Sequence, residues 1–145
     1  LQLGTALRLL GRAEPAVAAG RAALALAEKM PAPSRLLREL KDRATMRALA
    51  CAGRADEAIA TGQRIVGELS PVNNTAARWA AEGNLARVLA QFGRTRECVE
   101  LLTKLLQVPG MITVPVLRND PEWDGVREDA AFKALLADSK NSAAL

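Results

Sequence analysis

Several arginines stand at recurring distances ahead of glycines, in an arrangement suited to binding a carboxylate. Arg43 and Arg47 lie ten and six residues before Gly53, and Arg87 lies six residues before Gly93. Residues four apart on a helix share a face, so we expect Arg43 and Arg47 to be neighbours. A guanidinium group donates two parallel hydrogen bonds to one carboxylate. This spacing therefore predicts a basic surface that binds an acidic ligand.

The residue types that many enzymes use for catalysis are scarce in this chain of 145 residues. It has no histidine, which excludes histidine acid-base catalysis and histidine metal ligands. Its two cysteines, Cys51 and Cys98, are too few for a zinc cage, and we interpret both as small buried residues in a reducing compartment. No glycine-rich phosphate loop or nucleophile elbow occurs in the sequence. We therefore predict no enzymatic activity, no metal and no cofactor.

The glycines belong to a segment that occurs three times, at residues 10–17, 52–59 and 92–99. Gly11 and Gly53 are 42 residues apart, and Gly53 and Gly93 are 40 apart, a period typical of stacked repeats. Apolar residues three or four apart on both sides of each glycine predict two amphipathic helices. The glycine supplies the left-handed turn between them. The sequence thus predicts helical hairpins in an all-α fold.

Two further features support a turn between paired helices. Five residues after each glycine stands a small residue, which allows close helix packing: Ala16, Ala58 and Cys98. Acidic residues suit the positive end of each second helix: Glu14, Asp56, Glu57 and Glu97. Ser34 and Thr95 are predicted to cap helices. The pattern predicts helices at about 1–10, 13–29, 35–52, 55–69, 74–92 and 95–107, an extended segment at 111–117 and a closing helix at 129–137.

With these features the chain resembles the tetratricopeptide repeat family. Leu3-Gly4 stands eight and seven residues before Gly11, as a Leu-Gly pair does in that family, and prolines stand near the repeat ends at Pro31, Pro71 and Pro109. The family period is ~34 residues, so helices here are expected to be longer. Large aromatic positions are mostly replaced by small or aliphatic residues, as at Gly20 and Gly62. The resemblance covers about residues 1–108 and implies a solenoid of three helix pairs, at about 1–30, 33–70 and 73–108.

In a stacked array of helix pairs, the first helix of each pair lines the concave face. Family members that hold an acidic peptide end use basic and amide side chains on that face. The resemblance therefore implies a partner-binding set made of Arg8, Arg43, Arg47, Asn84, Arg87 and Gln91. The alternative is a solvent-exposed basic surface on which the aliphatic parts of the arginine side chains cover apolar neighbours.

The tail resembles a more specific pattern. Residues 117–136 resemble the closing segment of tetratricopeptide regions in large bacterial signalling proteins, with Gly125 and Ala130 in place of two prolines and Val126 in place of a leucine. We therefore expect residues 109–145 to form an irregular capping segment with a short helix, with looser turns at the replaced prolines. Trp123 and Phe132 are expected to pack on the last helix pair.

Charge separates the repeats from the tail. Residues 1–108 carry 16 basic and 10 acidic side chains, whereas residues 109–145 carry 4 and 6. The sequence pI of about 9.6 leaves nucleic acid open as a ligand. However, basic residues form no run and aromatic residues make up only 3% of the chain, so a base-stacking platform is not expected.

Calcium is a weaker alternative at the tail. Asp120, Glu122, Asp124 and Glu128 mimic part of a calcium-binding loop, but Ala131 stands where its bidentate glutamate belongs. We interpret these acids as turn and cap residues. The longest uncharged stretch, residues 105–117, has 13 residues and two prolines, which is too short to cross a bilayer.

Together, these features predict a cytoplasmic protein-protein interaction module of a larger bacterial regulatory protein. The expected partner is a protein or peptide, with an acidic segment docking on the concave face. Self-association through exposed repeat ends and binding of nucleic acid are the alternatives.

Overall fold

The computed structural model describes residues 2–69, 75–108 and 112–141, and all regular structure in these ranges is helical. The all-α prediction is therefore confirmed. The chain divides into two compact units, Leu1–Glu68 (unit 1) and Leu69–Leu145 (unit 2). The third predicted helix pair and the predicted cap both belong to unit 2.

Unit 1 consists of four helices, α1 (Gln2–Leu9), α2 (Ala13–Lys29), α3 (Arg35–Cys51) and α4 (Ala55–Glu68). Each helix packs on the next one in the chain, and α1 also contacts α3. The core of this unit contains no aromatic residue and is built from alanine, isoleucine, leucine, methionine and cysteine side chains. Small side chains let these helices lie close together.

Unit 2 contains the third pair, α5 (Thr75–Gln91) and α6 (Thr95–Leu105). Two short helices follow, α7 (Val114–Asn119) and α8 (Ala130–Ala137), with 3₁₀ turns at Pro121–Trp123 and Ser139–Asn141. The first of these turns packs on α5, and α8 packs on α6. Trp123 and Phe132 are fully buried in this unit.

Three turns with the same backbone geometry join α1 to α2, α3 to α4 and α5 to α6. The three glycines have φ angles of 71°, 76° and 65°, in the left-handed region, at Gly11, Gly53 and Gly93. In the first turn, the amide of Gly11 donates to the carbonyl oxygen of Arg8 at 2.9 Å, and that of Arg12 donates to Leu7 at 2.8 Å. The same two bonds recur at the other turns, at 2.9–3.1 Å. These bonds satisfy the last carbonyl groups of each first helix and reverse the chain.

The residue five positions after each turn glycine is buried at the contact between the paired helices. The exposed fractions are 3% for Ala16 and 0% for Ala58 and Cys98. The backbone also approaches closely at Gly20, where a Cβ atom would lie 2.5 Å from the amide nitrogen of Ala52. The backbone of α2 therefore touches the end of α3, which explains a glycine where the repeat family has a large side chain.

Two structural predictions from the sequence were wrong. The segment predicted as extended forms helix α7 from Val114, because the Thr113 side chain accepts a hydrogen bond from the amide of Val116 and Pro115 lies in the first turn, where a missing N–H costs nothing. Thr95 is the first residue of α6 and not its cap; Arg94 holds the cap position and makes no side-chain cap hydrogen bond. The capping segment is also more helical than predicted.

Ser34 caps α3 as predicted, since its hydroxyl accepts from the amide of Leu37 at 3.3 Å. The closing helix is also confirmed as α8, Ala130–Ala137, with Asp129 as its cap. Several predicted features lie outside the described residues: the helix starts at Leu1 and Asn74, the prolines Pro71 and Pro109, and Met111.

Gly53 and Gly67 provide a matched pair of glycine-to-alanine substitutions. A Cβ atom on either residue would meet nothing within 4 Å. Gly53 has a φ of 76°, whereas Gly67 lies within α4. We expect Gly53→Ala to lower the free energy of unfolding by about 1–2 kcal/mol, because a left-handed backbone is strained for alanine. Gly67→Ala should raise it by up to about 1 kcal/mol through helix propensity.

Urea unfolding followed by far-UV circular dichroism measures both effects. The same sign of change for the two variants would contradict the turn geometry described above.

Candidate partner-binding site

In unit 1, the arginines singled out by the sequence are partly exposed on α1 and α3. Arg43 and Arg47 are half-buried and lie one helical turn apart on α3. The Nε atom of Arg43 donates to the carbonyl oxygen of Glu39 at 3.4 Å, within the same helix. Two guanidinium groups one turn apart have the spacing needed to hold a carboxylate between them.

Arg8 is the third basic residue of the predicted set in unit 1. Its Nε atom is buried and has no hydrogen-bond partner in the structure, although the residue as a whole is partly exposed. Burial of an unpaired donor costs free energy, so an acceptor that reached this nitrogen would be favoured.

In unit 2, Arg87 is committed to contacts with the tail. Its Nε atom lies 2.8 Å from Oε2 of Glu122, and its guanidinium carbon lies 5.3 Å from the centre of the Trp123 ring. Both charged side chains are mostly buried, with exposed fractions of 24% and 19%. A partly desolvated ion pair stacked on an indole ring holds the Pro121–Trp123 turn against α5. We call Arg87, Glu122 and Trp123 the cap latch.

The two amide residues of the predicted set also lie on α5. The side-chain amide of Asn84 donates to the carbonyl oxygen of Ala80 at 2.9 Å, one turn earlier in the helix. Gln91, the last residue of α5, is half-buried and has an interaction of its own. The role of these residues in partner binding stays a prediction.

Two arginines of the tail, to which the sequence analysis assigned no role, hold the capping segment together by hydrogen bonds. The guanidinium of Arg127 donates to the carbonyl oxygens of Leu117, Arg118 and Asp120 and pairs with Asp124 at 2.8 Å. Arg118 donates to the carbonyl oxygen of Leu136 at 3.2 Å, near the end of α8. Unsatisfied carbonyl groups at helix ends explain why arginine occurs here.

The tail aspartates serve as caps or ion-pair partners. Asp120 accepts from the amide of Glu122 at 2.9 Å, Asp129 accepts from Ala131 at 2.7 Å, and Asp124 pairs with Arg127. Within the ranges that the structure describes, no group of three or more potential metal ligands is found.

Acidic residues at the start of α4 and α6 have an additional role. Arg54 pairs with Glu57 at 2.5 Å, and Arg94 pairs with Glu97 at 2.9 Å, in each case between the residue after the glycine and the residue three further on. The hydrogen bond from Arg54 holds the pKa of Glu57 below its usual range. In the sequence, the repeated Gly-Arg-x-x-Glu pattern indicates this ion pair.

A shallow depression of unit 2 lies between α6 and α8. Its lining includes Val99, Thr103, Leu135, Gln107 and Asn141. The two amides already bond each other at 2.7 Å, and Asn141 also donates to the carbonyl oxygen of Leu135. These hydrogen bonds link the residue Gln107 to the Ser139–Asn141 turn and that turn to α8.

The two cysteines are buried and unpaired. The thiol of Cys98 donates to the carbonyl oxygen of Ala86 at 3.4 Å, which links α6 to α5. Desolvation raises the pKa of Cys98 to about 12. The thiolate, which is the nucleophilic form, is therefore suppressed at neutral pH.

Comparison with family models, curated proteins and solved structures finds no match to this chain. Among the helices in the described ranges, none combines the length and the apolar character that crossing a bilayer requires.

The cap latch is tested by comparing Arg87→Ala with Arg96→Ala. Arg96 also pairs with a glutamate, Glu100, at 3.1 Å, but its side chain is 92% exposed. We expect Arg87→Ala to lower the free energy of unfolding of unit 2 by about 2 kcal/mol, because it removes the guanidinium group from a mostly buried carboxylate, that of Glu122. Arg96→Ala should change it by no more than about 0.5 kcal/mol.

Tryptophan fluorescence during urea unfolding is a suitable measurement, because both tryptophans lie in unit 2. An equal effect of the two substitutions would show that the latch does not stabilise the unit.

The raised pKa of Cys98 predicts a loss of stability at alkaline pH. In the unfolded chain the thiol ionises near pH 9, whereas in the folded chain it keeps its proton to about pH 12. Between these values the unfolded state binds fewer protons, so the free energy of unfolding falls by at most about 1.4 kcal/mol per pH unit. This contribution is absent from Cys98→Ala, so the advantage of the parent over this variant should shrink between pH 8 and 11.

Cys51→Ala, measured beside it by urea unfolding at each pH, is the matched control for loss of a buried thiol. A constant difference between the parent and Cys98→Ala across this range would contradict the prediction.

Proposed function

We propose that this chain is a protein-protein interaction module of the tetratricopeptide kind, within a larger bacterial regulatory protein. The observation that carries this proposal is the threefold recurrence of one turn, with a left-handed glycine, the same two backbone hydrogen bonds and a buried small residue five positions later. Recurrence of one supersecondary unit is typical of repeat proteins, whose extended surfaces bind other molecules.

The proposal includes a solenoid arrangement of the three helix pairs, closed by the tail. The cap latch and the arginine contacts of the tail support the capping role, because they bury Trp123 and satisfy helix-end carbonyl groups. Terminal repeats of such arrays need a cover of this kind over their apolar face.

Binding is proposed on the first helices of the pairs, with Arg43 and Arg47 of α3 as the main contacts. Both arginines are partly exposed and lie one helical turn apart. The proposed partner segment is acidic. A pre-formed helical surface pays little ordering cost on binding, so affinity depends on the bidentate arginine contacts. Arg87 belongs to the predicted set, but its contacts with Glu122 and Trp123 make its substitution a poor test of binding.

The proposal is tested with a fluorescein-labelled peptide rich in aspartate and glutamate, with its asparagine and glutamine counterpart as the neutral control. We expect the acidic peptide to bind the parent and Arg43→Ala/Arg47→Ala to weaken binding by at least about tenfold, measured by fluorescence anisotropy.

Arg12→Ala/Arg21→Ala is the matched control, because it removes the same charge from two exposed arginines of the same unit. Equal weakening by the two double variants would mean that binding follows net charge alone, and the proposed site would be wrong.

A further inference from the structure

The large apolar side chains that remain exposed are concentrated in unit 1. In the part of the chain that the structure describes, all of them lie between residues 3 and 40. Four lie where α2 ends and α3 begins, and we call them the leucine end: Leu26, Leu36, Leu37 and Leu40. Leu26 and Leu36 are 71% and 63% exposed.

The leucine end has the geometry of an apolar face. At about 100° per residue, Leu36, Leu37 and Leu40 occupy an arc of about 100° on the first two turns of α3. The Nζ atom of Lys41 donates to the carbonyl oxygens of Glu28 and Met30, at 3.3 and 3.1 Å. These bonds bring the start of α3 against the end of α2, where Leu26 lies.

Basic side chains border this apolar face. On α3, Arg43 and Glu39 lie beside the leucine arc on one side, with Arg35 beyond Glu39, and Lys41 lies beside it on the other. The carboxylate of Glu39 is held by Arg35 at 2.9 Å, and the first turn of α3 contains no acidic residue. Lys29, three residues after Leu26 on α2, is exposed. The face is therefore apolar in its centre and positive at its edge.

The charge of the whole chain follows the same division. Residues 1–68 carry 11 basic and 7 acidic side chains, whereas residues 69–145 carry 9 of each. Unit 1 thus holds the net charge of +4 together with the exposed leucines. A partner for this surface must supply apolar side chains in its centre and negative charge around them.

We propose that the leucine end binds an amphipathic α-helix of a partner protein, with an apolar face of leucine-type residues flanked by aspartate and glutamate. This inference rests on the proposed function, names the partner class and extends the α3 face of Arg43 and Arg47 towards the start of that helix. Burial of the leucines supplies most of the affinity, since a fully buried leucine contributes about 1.5–3 kcal/mol. Lys29 and Lys41 orient the helix and speed its association.

The probe is a labelled helical peptide of about 18 residues, or five turns, with leucines on one face and glutamates elsewhere. Two control peptides accompany it, one of the same composition with leucines spread around the helix and one with lysine in place of glutamate. We expect fluorescence anisotropy to show at least about tenfold tighter binding of the first peptide than of either control, with an affinity that falls as salt increases from ~50 to ~200 mM.

The full chain offers a matched pair of variants. Leu26→Ala/Leu36→Ala removes two leucines of the proposed face, and Leu3→Ala/Leu10→Ala removes two others that are 65% and 73% exposed. Alanine is the better helix former, so both variants should fold, and circular dichroism checks this. The first variant should weaken binding by at least about tenfold, and the second by no more than about twofold.

Four outcomes would overturn the inference. They are no binding to the parent, equal weakening by both double variants, preference for the lysine peptide, and a dimer in sedimentation that Leu26→Ala/Leu36→Ala dissolves. The last outcome would assign the face to a second copy of the chain.

The acidic peptide without leucines, used above for Arg43 and Arg47, separates this inference from the proposed function. If that peptide binds and the amphipathic helix binds no more tightly, the leucine end is not a docking face and the proposed function stands. If neither peptide binds, both proposals are wrong.

Discussion

Each helix pair depends on a backbone conformation that glycine adopts without strain and other residues rarely adopt. With φ near 70° at Gly11, Gly53 and Gly93, the chain reverses within three residues, and the last carbonyl groups of the first helix are satisfied by the turn itself. The second helix is then held against the first, and a small residue must lie at their contact. The buried contact within each helix pair follows from this reversal.

Much of the helical framework was predictable because these constraints are local. Glycine position, small residues and three-to-four spacing predicted α1 to α6 with ends that differ by at most two residues within the described ranges. The tail was harder, because Val114 and its neighbours have β-branched side chains that favour extended structure in isolation. Packing and the cap at Thr113 overrode that preference. The packing contacts, unlike the cap, join residues far apart in sequence and leave no periodic signal.

The candidate site was only partly predictable for a related reason. Sequence spacing placed Arg43 and Arg47 on one helix, but it contained no indication that Arg87 would pair with Glu122, which is 35 positions later. The leucine end was also missed, because leucines at helical spacing are normally interpreted as core. Only their exposed fractions separate Leu36 and Leu40 from buried leucines such as Leu85 and Leu89.

Gly125 illustrates how a departure from a family pattern preserves a contact. The tail pattern that this chain resembles has a proline here, and we expected its loss to loosen the turn. Instead, a Cβ atom at Gly125 would overlap the carbonyl oxygen of Ala90 in α5. A proline in a turn usually stabilises a protein by restricting the unfolded chain. Engineering that introduced proline would therefore lower the entropy of the unfolded chain but lose the fit of the tail to α5, so consensus design is the wrong guide at this position.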